Sequence, residues 1–222
     1  MKKLIMLVGV ALLSTAAYSQ KFESGDKNLE MNFTPFGGNP ISITGIKARM
    51  FNSESTALRL GVNLSMANEK MATGTTADGS VYLFDKESTF NLNLRPGYEK
   101  HLAGTDRLSP YFGAELDLAL QTHKMESERE GTTANEIETG TTTGANGYFR
   151  FGINALAGFD YYFADKLYIG SEIGFGFSMV SNSDIEIEDT SSGFTAPDPQ
   201  EQGSMLNIGP NFIGAIRLGY CF

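Results

Sequence analysis

Two histidines, one cysteine and a run of spaced carboxylates are the residues of this 222-residue chain best suited to chemistry. His123 lies four residues before Ser127, and a His–Ser pair can serve acyl transfer when the imidazole takes the hydroxyl proton. That requires hydrogen-bond contact and a third group to orient the base, and closeness in sequence supplies neither. His101 stands in the short turn "KHLAGTDR". Both are read as exposed polar histidines, and no catalytic residue and no enzymatic activity is assigned. Asp184, Glu186, Glu188 and Asp189 crowd the stretch "SDIEIEDT". Carboxylates on an extended segment are hard oxygen donors of the kind Ca²⁺ takes. The stretch lacks the glycine and spacing of an EF-hand loop, so a solvated acidic loop is the main reading and a metal site the minor one. No metal-spaced Cys/His set and no phosphate-cradling glycine loop is present, and no cofactor is expected. Cys221 is the single cysteine, so an intramolecular disulfide is excluded, and it is expected as a small buried filler.

A second set is ionic. Lys47, Arg49, Arg59, Arg95, Arg150 and Arg217 recur against Glu30, Glu115, Asp117, Asp160 and Glu172, and each sits on the polar phase of an alternating segment. "TALRLGVNLSM" puts Leu58, Leu60, Val62, Leu64 and Met66 on one face. "FNLNLRPGY", "YFGAELDLALQ", "FRFGINALAGFDYYF", "LYIGSEIGFGF" and the terminal "AIRLGYCF" repeat the period of two, the signature of β-strands. In "ISITGIKARMF" the apolar phase shifts at Gly45, as a glycine bulge allows. The count is about eight strands. Short connections ("NSES", "KHLAGTDR", "ADK") alternate with long ones near Asn68–Ser80, Glu126–Asn146 and Ser181–Gly203, and "GGNP" (Gly37–Pro40) is a short connection on the long-loop side. Short turns on one rim and long loops on the other define an all-β, eight-stranded antiparallel up-and-down transmembrane β-barrel.

The N-terminus "MKKLIMLVGVALLSTAAYSQ" has a basic start, an apolar run and small residues at −3 and −1 of a cleavage site before Gln20. Residues 1–19 are expected as a signal peptide and residues 20–222 as a single barrel domain. No later apolar run is long enough for a transmembrane helix. The whole chain carries −9, and loss of Lys2 and Lys3 with the leader makes it −11, which argues against nucleic acid as a partner.

Alternation alone also fits a soluble lipocalin-like ligand carrier, with its apolar face inside. The polar phase here is glycine-rich, with a few large charges of both signs. That suits the crowded interior of a small barrel, where buried charges must be paired. The charge cluster is therefore expected to plug the lumen, and a narrow porin-like channel or small-solute transporter is the alternative. The apolar phase is expected to face lipid. Tyr98, Tyr161, Phe163, Tyr220 and Phe222 near the short turns, and Phe90, Phe149 and Phe177 near the loops, read as two interfacial girdles.

"FTPFGGNPISITGI", "LRPGYEKHLAGTDRLSPYFGAEL" and "AIRLGYCF", with the strand pattern, resemble the small outer-membrane β-barrel proteins of Bacteroidota. In architecture these are similar to eight-stranded barrels of the OmpA-transmembrane and OmpX type. The resemblance implies a Gram-negative outer-membrane location and lipid as surroundings. It also implies that Ile216, Leu218, Tyr220 and Phe222 form an assembly signal read by the barrel-assembly machinery. On activity the resemblance says little, because the family is defined mostly by its barrel. The expected role is structural or interactive, with acidic loops outside, as an accessory subunit of an outer-membrane assembly.

Overall fold

The computed structural model describes residues 21–33, 43–131, 136–211 and 216–222. The leader, the "GGNP" connection and the cleavage site fall outside these residues. The described part is all antiparallel β, in segments β1 (Lys27–Phe33), β2 (Ile43–Ser53), β3 (Thr56–Thr75), β4 (Tyr82–His101), β5 (Leu108–Glu130), β6 (Ile137–Thr143), β7 (Tyr148–Ala164), β8 (Leu167–Asn182), β9 (Glu186–Asp189), β10 (Ser204–Asn211) and β11 (Ile216–Cys221).

Eight segments close a ring in the order β1-β2-β3-β4-β5-β7-β8-β11, and β11 pairs back onto β1. The seam joins Leu29 to Tyr220 and Asn28 to Cys221, and Phe222 N donates to Lys27 O at 2.8 Å. The first and last strands thereby satisfy each other's edge groups, which an open sheet would leave unpaired. β10 adds to β8 beyond the stretch that β11 covers, with Ser204 opposite Ser181 and Asn211 opposite Gly174.

Eleven segments replace the expected eight, because β6 and β9 form within the long connections and β10 precedes the terminal strand β11. β3 and β4 continue past the apolar zone to a turn at Thr76–Val81, with Thr75 opposite Tyr82. The upper half of β5 pairs with β6, and β6 pairs with β9. These extensions have no apolar phase, so the period of two that marks the lower strands is missing from their sequence. Cross-strand ion pairs accompany the backbone ladder instead, with Lys86 Nζ 2.8 Å from Glu128 and Arg129 2.6 Å from Asp189.

Burial is inverted relative to a water-soluble protein. Leu29, Leu60, Leu64, Phe112, Phe149, Ile173, Phe175 and Phe222 are exposed, whereas Glu30, Arg49, Glu99 and Asp160 are fully buried. The apolar-in arrangement expected of a lipocalin-like carrier is not found. The phase shift at Gly45 also has a structural counterpart: the β1–β2 register slips by one residue between Met31↔Ile46 and Phe33↔Ile43.

Candidate functional site

The ring turns the polar phase of each strand toward one axis, and the interior builds up in layers from the short-turn rim. At that rim an apolar floor forms around Phe22, Phe51, Ala57, Tyr162, Tyr168 and Cys221. Phe22 stacks on Phe51 with centroids 3.8 Å apart, and His101 meets Phe22 edge-on at 4.7 Å. Cys221 is fully buried, its Sγ 3.9 Å from Tyr162 Oη, as expected of a small filler.

Above the floor lies the charged layer. Arg49 sits 2.6 Å from Glu30, 2.8 Å from Asp160 and 2.9 Å from Glu99. Arg59 sits 2.8 Å from Glu99 and from Glu172, and 2.9 Å from Glu115. Arg217 reaches Asp160 at 3.0 Å and Glu30 at 3.2 Å, and Lys47 reaches Glu30 at 3.4 Å and Glu172 at 3.5 Å. Tyr168 Oη donates to Glu30 at 2.7 Å, and Tyr111 Oη donates to Glu172. Each acid of this layer is ion-paired with at least one guanidinium, the arrangement in which buried charge is tolerated. The glycines make the layer possible. A Cβ at Gly219 would stand 2.1 Å from Tyr168 Oη, so only glycine leaves room for that ring against β11.

Nearer the loop side, Arg150 Nε lies 3.0 Å from Asp117, and Asn93 Nδ2 also donates to Asp117. Arg95 is half-buried and makes no ion pair among the described residues. It lines a cavity of about 330 Å³ together with Asn32, Asn63, Asn91, Asn93, Tyr148 and Arg150. A second cavity of about 480 Å³ shares Arg150 with the first, is lined also by Asp117, and extends to β10.

The expected charge cluster is thus brought together almost whole: Lys47, Arg49, Arg59, Glu115, Asp160, Glu172 and Arg217 in the lower layer, Asp117 and Arg150 above, and Arg95 apart from the ion pairs. Glu99 was missed, as were Tyr111 and Tyr168. Glu99 shares the parity of Arg95 and Gly97 on β4, which runs on through the start of the expected turn to His101.

Both histidines are buried, which corrects their reading as exposed. They fall on the inward phase, where the facing wall covers them. His101 Nδ1 is 2.9 Å from Ser109 Oγ and its Nε2 is 3.4 Å from Glu99. His123 Nε2 is 2.9 Å from Glu87. The acidic stretch is divided by its own strand geometry. Glu186 and Glu188 are exposed on one face of β9, whereas Asp189 lies on the other and is held by Arg129 through both oxygens at 2.6 Å. Asp184 precedes the strand. Among the described residues no group of three or more His, Cys, Asp or Glu side chains is placed to hold a metal ion.

On the outer surface, uncharged apolar stretches run from Leu58 to Met66 on β3, Phe90 to Tyr98 on β4 and Phe112 to Leu120 on β5, apart from their inward residues. A tilted strand needs about 9–11 residues to cross a bilayer core. Tyr98, Tyr161, Tyr220 and Phe222 are exposed at the short-turn rim, and Phe149 and Phe177 toward the loops. Of the C-terminal set, Ile216, Tyr220 and Phe222 are exposed and Leu218 is half-buried, all on the outward phase of the seam strand.

No curated protein and no solved structure gives a significant match to the chain. Residues 32–183 match the model of the family described as "Putative OmpA-OmpF-like porin family". The match covers most of the chain and includes Lys47, Arg49, Arg59, Glu99, Glu115, Asp160 and Glu172 of the charged layer, with Glu30 and Arg217 outside it. A closed antiparallel ring with its apolar side chains outward and its charges inward is what an outer-membrane family of this kind requires. The chain belongs to the OmpA-OmpF-like porin family of outer-membrane β-proteins.

Proposed function

We propose that this chain is an eight-stranded transmembrane β-barrel of the outer membrane, with a polar lumen plugged on the short-turn side. Its role is structural or interactive, as an accessory subunit of a larger outer-membrane assembly. The observation that carries the reading is the inverted burial, with Leu, Ile and Phe outward and Glu30, Arg49, Glu99 and Asp160 fully enclosed. In water that pattern exposes a large apolar surface. In a bilayer it is the stable arrangement, because the ring leaves no unpaired edge within the closed zone. The aromatic floor and the ion pairs fill the lower lumen, which supports a plug over a through-channel. The polar extensions of β3–β6 and β9 would stand above the membrane and offer the partner-facing surface.

Extraction of the native membrane in mild detergent, followed by identification of what co-purifies, tests the accessory role; a chain recovered alone under the gentlest conditions refutes it. The heat-modifiable shift of a folded barrel on a gel tests the fold. A second reading, a narrow channel, draws on the family's porin description and on the two lumen cavities. Planar bilayer recording separates the two, since a plugged barrel is silent and a channel gives discrete steps.

A further inference from the structure

The cavity above the charged layer contains donors and an acceptor that nothing in the protein uses. Below it, Glu115 is paired with Arg59 at 2.9 Å. Beside it, Asp117 is held by Arg150 and Asn93. Arg95 makes no ion pair among the described residues, and its Nε has no hydrogen-bond partner. Its place on the wall is built in. It faces Gly61 across the β3–β4 ladder, and a Cβ there would lie 3.3 Å from Arg95 Nε and 3.4 Å from its Cβ. Glycine therefore lets the Arg95 side chain lie flat against the barrel wall. Asn32 lines the same cavity, is 5% exposed, and its Oδ1 is a buried acceptor with no partner. Buried polar atoms left unsatisfied are rare and costly, and a site with an unused guanidinium and an unused acceptor suits a ligand that carries both complements.

We infer that this cavity is a binding site for a small hydroxylated monocarboxylate of the sugar-acid class, admitted from the loop side. The carboxylate would sit on the Arg95 fork, which matches its geometry, and a ligand hydroxyl would donate to Asn32 Oδ1. The neighbouring amides of Asn91 and Asn93 and the Tyr148 side chain line the remainder with neutral polar groups suited to further hydroxyls. Arg150, the other guanidinium on the cavity wall, is already paired with Asp117, so a single carboxylate matches what Arg95 offers and the monoanion is the better guest. The inference rests on the barrel reading, since it needs a lumen open on one side only.

Titration calorimetry of the detergent-folded full chain with gluconate tests it, with galactose and acetate as the neutral and the hydroxyl-free comparisons. Gluconate is expected to bind. Arg95→Gln is expected to weaken it at least tenfold. Asn32→Leu is expected to weaken gluconate while leaving acetate unchanged. Gly61→Val, which crowds Arg95 without removing it, is expected to lower affinity as well. Galactose binding as tightly as gluconate, an unaltered affinity in Arg95→Gln, or no heat from gluconate in the wild-type chain overturns the site. The heat-modifiable gel shift is followed for every sample. Wild-type protein that shifts but does not bind refutes this inference alone, and wild-type protein that does not shift refutes the barrel as well.

Discussion

Arg49 and Glu30 stand on adjacent strands, fully buried, with Nη2 and Oε1 2.6 Å apart. The same guanidinium also serves Asp160 at 2.8 Å and Glu99 at 2.9 Å, so one side chain ties β2 to β1, β4 and β7 across the lumen. Long polar side chains can do this in a small ring because the opposite wall is within their reach.

Arg49→Leu should be the most damaging single change in the lumen. It leaves Glu30, Asp160 and Glu99 short of a shared partner, and removing one member of a buried ionic set costs about 3–5 kcal/mol. Urea unfolding in micelles should show a large drop in midpoint. Arg95→Leu, which breaks no ion pair, should cost far less. Equal losses would contradict the division of the lumen into a bonded layer and an open one.

Gly219→Ala should destabilise the closure seam. Its Cβ would meet Tyr168 Oη at 2.1 Å and Cζ at 2.2 Å, an overpacking expected to cost about 1–3 kcal/mol. Tyr168→Ala alone should also destabilise, through the lost donation to Glu30. In the double variant the two losses should be less than additive, and a double-mutant cycle of thermal midpoints measures the coupling.

Leu60→Arg should impair membrane insertion. Leu60 is exposed on the outward phase between Leu58 and Val62, and an arginine there faces hydrocarbon at a cost of about 2–4 kcal/mol near the midplane. Asn63→Arg, on the inward phase of the same strand, should insert well. Folding yield into lipid vesicles compares the two, and the reverse ranking would mean that the faces are misassigned.

The β6–β9 extension should open in acid while the ring persists. Hydrogen bonds from Arg129 and Ser191 hold the Asp189 carboxyl down at about 2, from an ordinary value of 3.8. A depressed carboxyl stabilises the fold fully above its unfolded value and loses that contribution as pH falls from about 4 through about 2. Amide exchange in β6 and β9 should accelerate across that window. Arg129→Gln should shrink the pH dependence to the part that Ser191 supplies.

Much of this architecture was legible in sequence, for a physical reason. A strand with lipid on one side and packed side chains on the other must alternate at every step. Leu58–Met66 and Phe90–Tyr98 therefore announce both strand and face, and the parity of Arg59 or Arg217 fixes which charges enter the lumen. The outward phase of Ile216, Tyr220 and Phe222 followed from the same rule. Above the apolar zone the rule lapses. β6 and β9 carry one isoleucine each, too few to mark a face, so their pairing is written in the register of Thr141 with Glu188 and in the Arg129–Asp189 contact.

What the sequence determined by itself was the period, the face of each charge and the near balance of signs within the ring. Tertiary structure decided which charges meet. Strand stagger brings Arg49 to acids on three strands, draws Glu99 and the two tyrosines into the layer, buries both histidines, and leaves Arg95 facing an open cavity without an ion pair among the described residues. Parity is a property of one strand and is visible along it. Pairing across a lumen depends on stagger and closure, which only the folded ring sets.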